Sequence, residues 1–137
     1  MKRFSFAFAA LLVALLALWA CSGSSPAPSG DGAAELDFSS GTFSWDGDGD
    51  GKPEAYDVTF HDNGDEAPSL YEIRCIDDER FTVLLEGAYD LEKIEANADE
   101  SGPYLVLSYH EGDFYSHDKD AAATLRIIDG AFALEAL

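Results

Sequence analysis

Asp46-Gly47-Asp48-Gly49-Asp50-Gly51-Lys52-Pro53-Glu54 alternates three aspartates with glycines and closes on a further acid, with Asp57 shortly after it. In a tight loop bent at glycines, every second side chain turns towards one point. Calcium takes about six to eight oxygen ligands, at roughly 2.3–2.6 Å, from carboxylates, backbone carbonyls and water. This run offers Asp46, Asp48 and Asp50 in quick succession, Gly51 for a sharp bend, the backbone carbonyl of Lys52, and Glu54 as the chain leaves. Gly and Asp are also the ordinary residues of solvated turns. Three alternating aspartates with Gly51 and Glu54 in place favour coordination over a plain turn.

Counted as an EF-hand loop, the ligand positions fall on Asp46, Asp48, Asp50, Lys52, Glu54 and Asp57. The context differs. Pro53 occupies the eighth position, where an EF-hand carries an aliphatic residue, and the flanks read as strands. Tyr56, Val58 and Phe60 recur with period two after the loop, the pattern of a strand with one apolar face. A strand–loop–strand hairpin is expected over residues 42–61.

Trp45 through Phe60 resembles the FG-GAP/VCBS-type repeat of extracellular proteins, whose signature is a D-x-D-G-D-G-K-x-D/E loop between two β-strands. The resemblance implies a calcium loop in an all-β module like a propeller blade, with Asp46, Asp48, Asp50, Glu54 and the backbone of Lys52 as ligands. The chain has room for about two such repeats, and a closed propeller needs at least about four blades. The expected fold is therefore all-β, with antiparallel strands in blade-like hairpins or a small sandwich, and not a complete propeller.

The N-terminal stretch reads as an address. Met1-Lys2-Arg3 is basic, and Phe4 to Leu18 is almost unbroken apolar sequence, the length of a signal-peptide core and short for a membrane span. Leu18-Trp19-Ala20-Cys21 resembles a bacterial lipobox. That resemblance implies cleavage before Cys21, a diacylglycerol on its sulfur, and a protein held to a membrane of the bacterial cell envelope, outside the cytoplasm. Trp19 is bulkier than the pattern usually holds, and a secretory peptide with a chance cysteine is the competing reading. Residues 1–20 are thus expected as a signal peptide, 21–34 as a disordered Ser/Pro/Gly tether, and 35–137 as one all-β domain.

Within that domain, strands are expected at about 69–76, 80–86 and 104–109, with a last hairpin at 123–135 around Asp129-Gly130. Residues 88–96 fit either a strand or a turn or two of helix, with strand preferred. Ile73 and Cys75 share one strand face, which makes Cys75 a small buried apolar residue. If Cys21 carries lipid, Cys75 has no disulfide partner. Asn97 to Gly102 reads as a degraded copy of the acidic loop, with Leu105 where Glu54 stands.

A second polar cluster runs from His110 to Asp120. Its two histidines and several acids lack the spacing of a zinc or catalytic motif, so it reads as a long hairpin loop. The net charge of −19 excludes the basic stripe that nucleic-acid binding requires. The expected function is a non-enzymatic, calcium-stabilised binding or structural module with a protein or glycan ligand. The alternative is an envelope-anchored enzyme, or an accessory of glycan hydrolysis, using acids such as Glu111 and Asp113. Two hydrolytic carboxylates would have to face each other across a cleft of about 5–9.5 Å.

Overall fold

The computed structural model describes residues 32–113 and 116–137; the side chains of 113–118 are not described. The expected signal peptide, Cys21 and the tether as far as residue 31 lie outside these residues. The described strands are β1 (Ala34–Glu35), β2 (Thr42–Trp45), β3 (Glu54–His61), β4 (Leu70–Cys75), β5 (Thr82–Glu86), β6 (Ala88–Asp99), β7 (Gly102–Asp113), β8 (Ser116–Ile128) and β9 (Ala131–Ala136). They form two antiparallel sheets, β2-β3-β4-β5 and β1-β6-β7-β8-β9. β2–β5 and β6–β9 are each a meander of neighbouring hairpins, β1 adds to the second beside β6, and the chain crosses between the sheets from β1 to β2 and again at Gly87, which alone separates β5 from β6. The architecture is a small all-β sandwich, and neither sheet closes into a barrel.

The core sits between the sheets. Phe43, Trp45, Tyr56, Ile73, Cys75 and Leu85 face inward from the four-stranded sheet, and Leu91, Ile94, Leu105, Leu107 and Leu125 meet them from the other. Period-two alternation produces this directly in β4, where Ile73 and Cys75 are buried and Arg74 is not. The burial of Cys75 agrees with its reading as a small apolar residue. The β8–β9 turn lies at Asp129 (φ 53°) and Gly130 (φ 75°). Two successive positive φ values match the twist of a two-residue hairpin.

Residues 88–99 are one strand, but not a regular one. Ala88, Leu91, Ile94 and Ala96 all point into the core, at spacings of three, three and two. Two β-bulges make this possible, one between Ala88 and Asp90 and one between Leu91 and Lys93. Each gives β6 one residue more than β7 and resets which face the next side chain takes.

Two expectations change. Residues 110–120 are not a long loop: His110 pairs with Asp120 and Glu111 with Lys119, so β7 and β8 run on as a ladder nearly to their turn. Polar side chains on both faces hid these strands, because at this end the hairpin has little to bury. The stretch Asn97 to Gly102 is not a second acidic loop either. Asn97 to Asp99 finish β6, and Leu105 lies fully buried in β7. The Asp99 carboxylate accepts from the Ser101 N–H and from the Arg126 guanidinium.

Truncating Leu107, which is fully buried, should cost about 2–5 kcal/mol in urea unfolding as Leu107→Ala. Ile128→Ala, at a side chain 52% exposed, should stay within about 0.5 kcal/mol of the parent.

Candidate metal centre

Trp45 ends β2 and Glu54 opens β3, and the two are Cα partners in the ladder. The acidic run between them is the hairpin loop. It brings Asp46, Asp48, Asp50 and Glu54 together, with one carboxylate oxygen from each lying within 4.8 Å of the others. The loop is shaped by its own side chains. Asp48 Oδ1 accepts from the Asp50 N–H at 3.0 Å and Asp50 Oδ1 from the Lys52 N–H at 2.8 Å. Asp46 Oδ2 reaches across to the Gly51 N–H at 2.9 Å, and Glu54 Oε2 accepts from the Gly47 N–H at 3.2 Å. Gly51 takes φ 89°, a value that L side chains rarely adopt, where the loop turns back.

Gly47 is glycine for a different reason. A Cβ there would lie 2.7 Å from Trp45 Cζ3 and 3.0 Å from Ile127 Cδ1. Trp45 belongs to one sheet and Ile127 to the other. One residue further along the loop from Asp48, a Cβ on Gly49 would touch Pro103 of β7 at 3.6 Å. The acidic loop is therefore seated on both sheets at one end of the sandwich.

The electrostatics are unbalanced. Among the described residues, no lysine or arginine forms an ion pair with any of the four acids; Arg74, Arg80, Lys93, Lys119 and Arg126 pair elsewhere. Asp46 Oδ1 is buried and has no hydrogen-bond partner. A buried carboxylate oxygen left unmatched is costly. Tyr56 sits beneath the group with its hydroxyl 3.5 Å from Glu54 Oε2. Burial pushes the Tyr56 pKa well above its ordinary value, and the charge of Glu54 pushes it further. The hydroxyl therefore stays protonated, with its hydrogen available to Glu54. A donor set made wholly of oxygen suits a hard cation such as calcium or magnesium.

The remaining expected residues are placed as follows. Lys52 lies in the loop, exposed, and its N–H is committed to Asp50. Asp57 is not brought to the group: it pairs across the ladder with Arg74, Oδ2 to Nη2 at 3.2 Å. Glu111 is engaged by Lys119, and the side chain of Asp113 lies outside those described. Sequence reasoning missed a second gathering, in which Asp90 and Glu92 of β6 meet His110 of β7. No protein-family profile, characterised protein or solved structure matches the chain.

Because the space at Gly47 is taken by a buried ring, Gly47→Ala should destabilise the fold by about 1–3 kcal/mol through overpacking. The same variant should shift the fluorescence of Trp45, and equilibrium unfolding followed by that fluorescence reads both effects.

Proposed function

We propose that this chain is a lipid-anchored protein of the bacterial cell envelope whose folded part is a calcium-stabilised, non-enzymatic module for binding or structure. The observation that carries the reading is the convergence of four acid side chains beside a buried, unpartnered oxygen of Asp46. Asp46, Asp48, Asp50 and Glu54 would hold the ion, with the Lys52 carbonyl as a further oxygen donor. Calcium would supply positive charge at a group of acids that no lysine or arginine of the described residues pairs with. Its effect would be to exchange mutual repulsion for coordination. Because the loop passes so close to Trp45 and Ile127 that Gly47 has no room for a Cβ, that gain would be felt by both sheets. The lipobox resemblance at Cys21 supports the anchor, and the charge of −19 makes an electrostatic grip on anionic lipid an unsuitable substitute for it. The partner proposed for the module is a protein or glycan at the envelope.

Thermal melts of the purified chain, with calcium and with a chelator, test the metal. At calcium about 100 times above Kd, binding adds about 2.7 kcal/mol. For a domain of this size that raises Tm by roughly 10 °C or more. Asp48→Asn, at an exposed position, should remove the rise while leaving the chelated protein folded. An unchanged Tm at millimolar calcium would make the run an acidic turn and nothing more. The anchor has its own readout: labelled palmitate fed to an expressing bacterium should enter the wild-type chain and not Cys21→Ser. Equal labelling of both, or of neither, would remove the lipid from the reading.

A further inference from the structure

Strand β9 has β8 on one side and, among the described residues, no strand on the other. Opposed residues of an antiparallel ladder alternate between pairs that exchange backbone hydrogen bonds and pairs that do not. The two-residue turn at Asp129-Gly130 makes Ile128 and Ala131 a bonded pair, and the Leu137 N–H reaches the Ala122 carbonyl at 2.8 Å. Ala131, Ala133, Glu135 and Leu137 therefore turn their backbone groups to β8. Phe132, Leu134 and Ala136 turn theirs the other way, as a row of donors and acceptors facing out from the sheet.

Natural sheet edges are blunted by shortness, charge, proline, bulges or a covering segment. The other edges of the sandwich are treated in this way. β2 has four residues and β5 has five. β6 carries two bulges and is partly covered by β1. β9 has none of these devices. Its register with β8 is unbroken over six residues, and Glu135 is its only charge. Leu134 lies on the same face of the sheet as its buried ladder partner Leu125, yet it is 38% exposed. The edge thus offers apolar surface beside its outward backbone groups.

We propose that β9 pairs with β9 of a second copy of the chain, antiparallel about a two-fold axis at Leu134. In this register the outward-facing residues meet. Leu134 opposes Leu134 of the copy and Phe132 opposes Ala136, and each such pair exchanges two backbone hydrogen bonds. The two exposed leucines cover one another. The charges fit as well. Glu135 meets Ala133 of the copy rather than another acid, and the ladder partner of that alanine is Arg126. A chain of net charge −19 repels itself over most of its surface; β9 brings one acid per copy, with a guanidinium in the same row. The pairing consumes β9 on both copies and leaves only short or bulged edges, so it closes as a dimer instead of growing into a fibre. No residue of the acidic loop takes part.

The test is analytical ultracentrifugation of the purified chain in about 0.15 M salt, where the Debye length is about 8 Å, at concentrations up to about 1 mM. The expected result is a monomer–dimer equilibrium. Leu134→Lys and Leu134→Glu each set like charges against one another at the axis, so each alone should stay monomeric. Mixed in equal amounts they should associate, because lysine then faces glutamate. Ala136→Pro removes an outward N–H that β8 does not use, and should weaken dimerisation about tenfold or more through the lost backbone bonds. Both positions are exposed, so the variants should keep the fold, which far-UV circular dichroism checks. A monomer at every concentration overturns the proposal. So does a dimer that survives both Leu134→Lys and Ala136→Pro, which would place the contact on another surface. A mixture of the two Leu134 variants that stays monomeric overturns it too, since an axis at Leu134 brings the two substitutions face to face.

Discussion

Tyr56 ties the two sheets and the acidic loop to one another. Its ring stacks on Phe43 at 5.2 Å, tilts against Trp45 at 5.8 Å, and meets Phe132 of the opposite sheet at 6.1 Å. Phe132 in turn packs on Phe81 at 5.5 Å. Aromatic groups of this kind bury large areas and add directional ring contacts, each worth about 0.5–1.5 kcal/mol beyond area alone. The polar tip of the same residue leaves the core and faces Glu54. A single side chain thus joins apolar packing to the electrostatics of the loop, and a change in either is transmitted to the other through one ring.

The parts of the fold that were legible in sequence are those in which strand geometry is regular. β4 buries Ile73 and Cys75 on either side of Arg74, Tyr56 of β3 is buried while Phe60 on the same period is exposed, and Asp129-Gly130 is a turn that few other residues would make. Residues 88–96 resisted reading because Ala88, Leu91 and Ile94 are three apart, a spacing closer to helix than to strand. Only the pairing with β7 shows that two bulges absorb the difference. The run from His110 to Asp120 was opaque for another reason. Strands there need not bury a face, so hydrophobic periodicity carries no signal.

The candidate sites divide in the same way. Asp46 to Glu54 is local, and the acids that converge there could be listed from spacing because one short loop supplies them all. Asp57 fitted the same count but follows the ladder instead, where its side chain leaves Tyr56 on the core side and meets Arg74 on the other. The group around His110 is assembled from strands about twenty residues apart in sequence and depends on a bulge to include Glu92. Nothing in the spacing of Asp90, Glu92 and Asp120 marks them as neighbours of that histidine.

The short strand β1 gives the molecule a direction. Ala34 pairs with Ala96 and Glu35 with Glu95, so tracing the chain backwards from Ala34 leads towards the β6–β7 turn. The acidic loop, whose Gly49 faces Pro103 just past that turn, occupies the same end. Asp113 and Ser116, where β7 ends and β8 begins, lie at the far end of strands 12 and 13 residues long, roughly 40 Å away at about 3.3 Å per residue. The acidic loop and the start of the described chain thus share one end of the sandwich, and His110 of β7 lies towards the other.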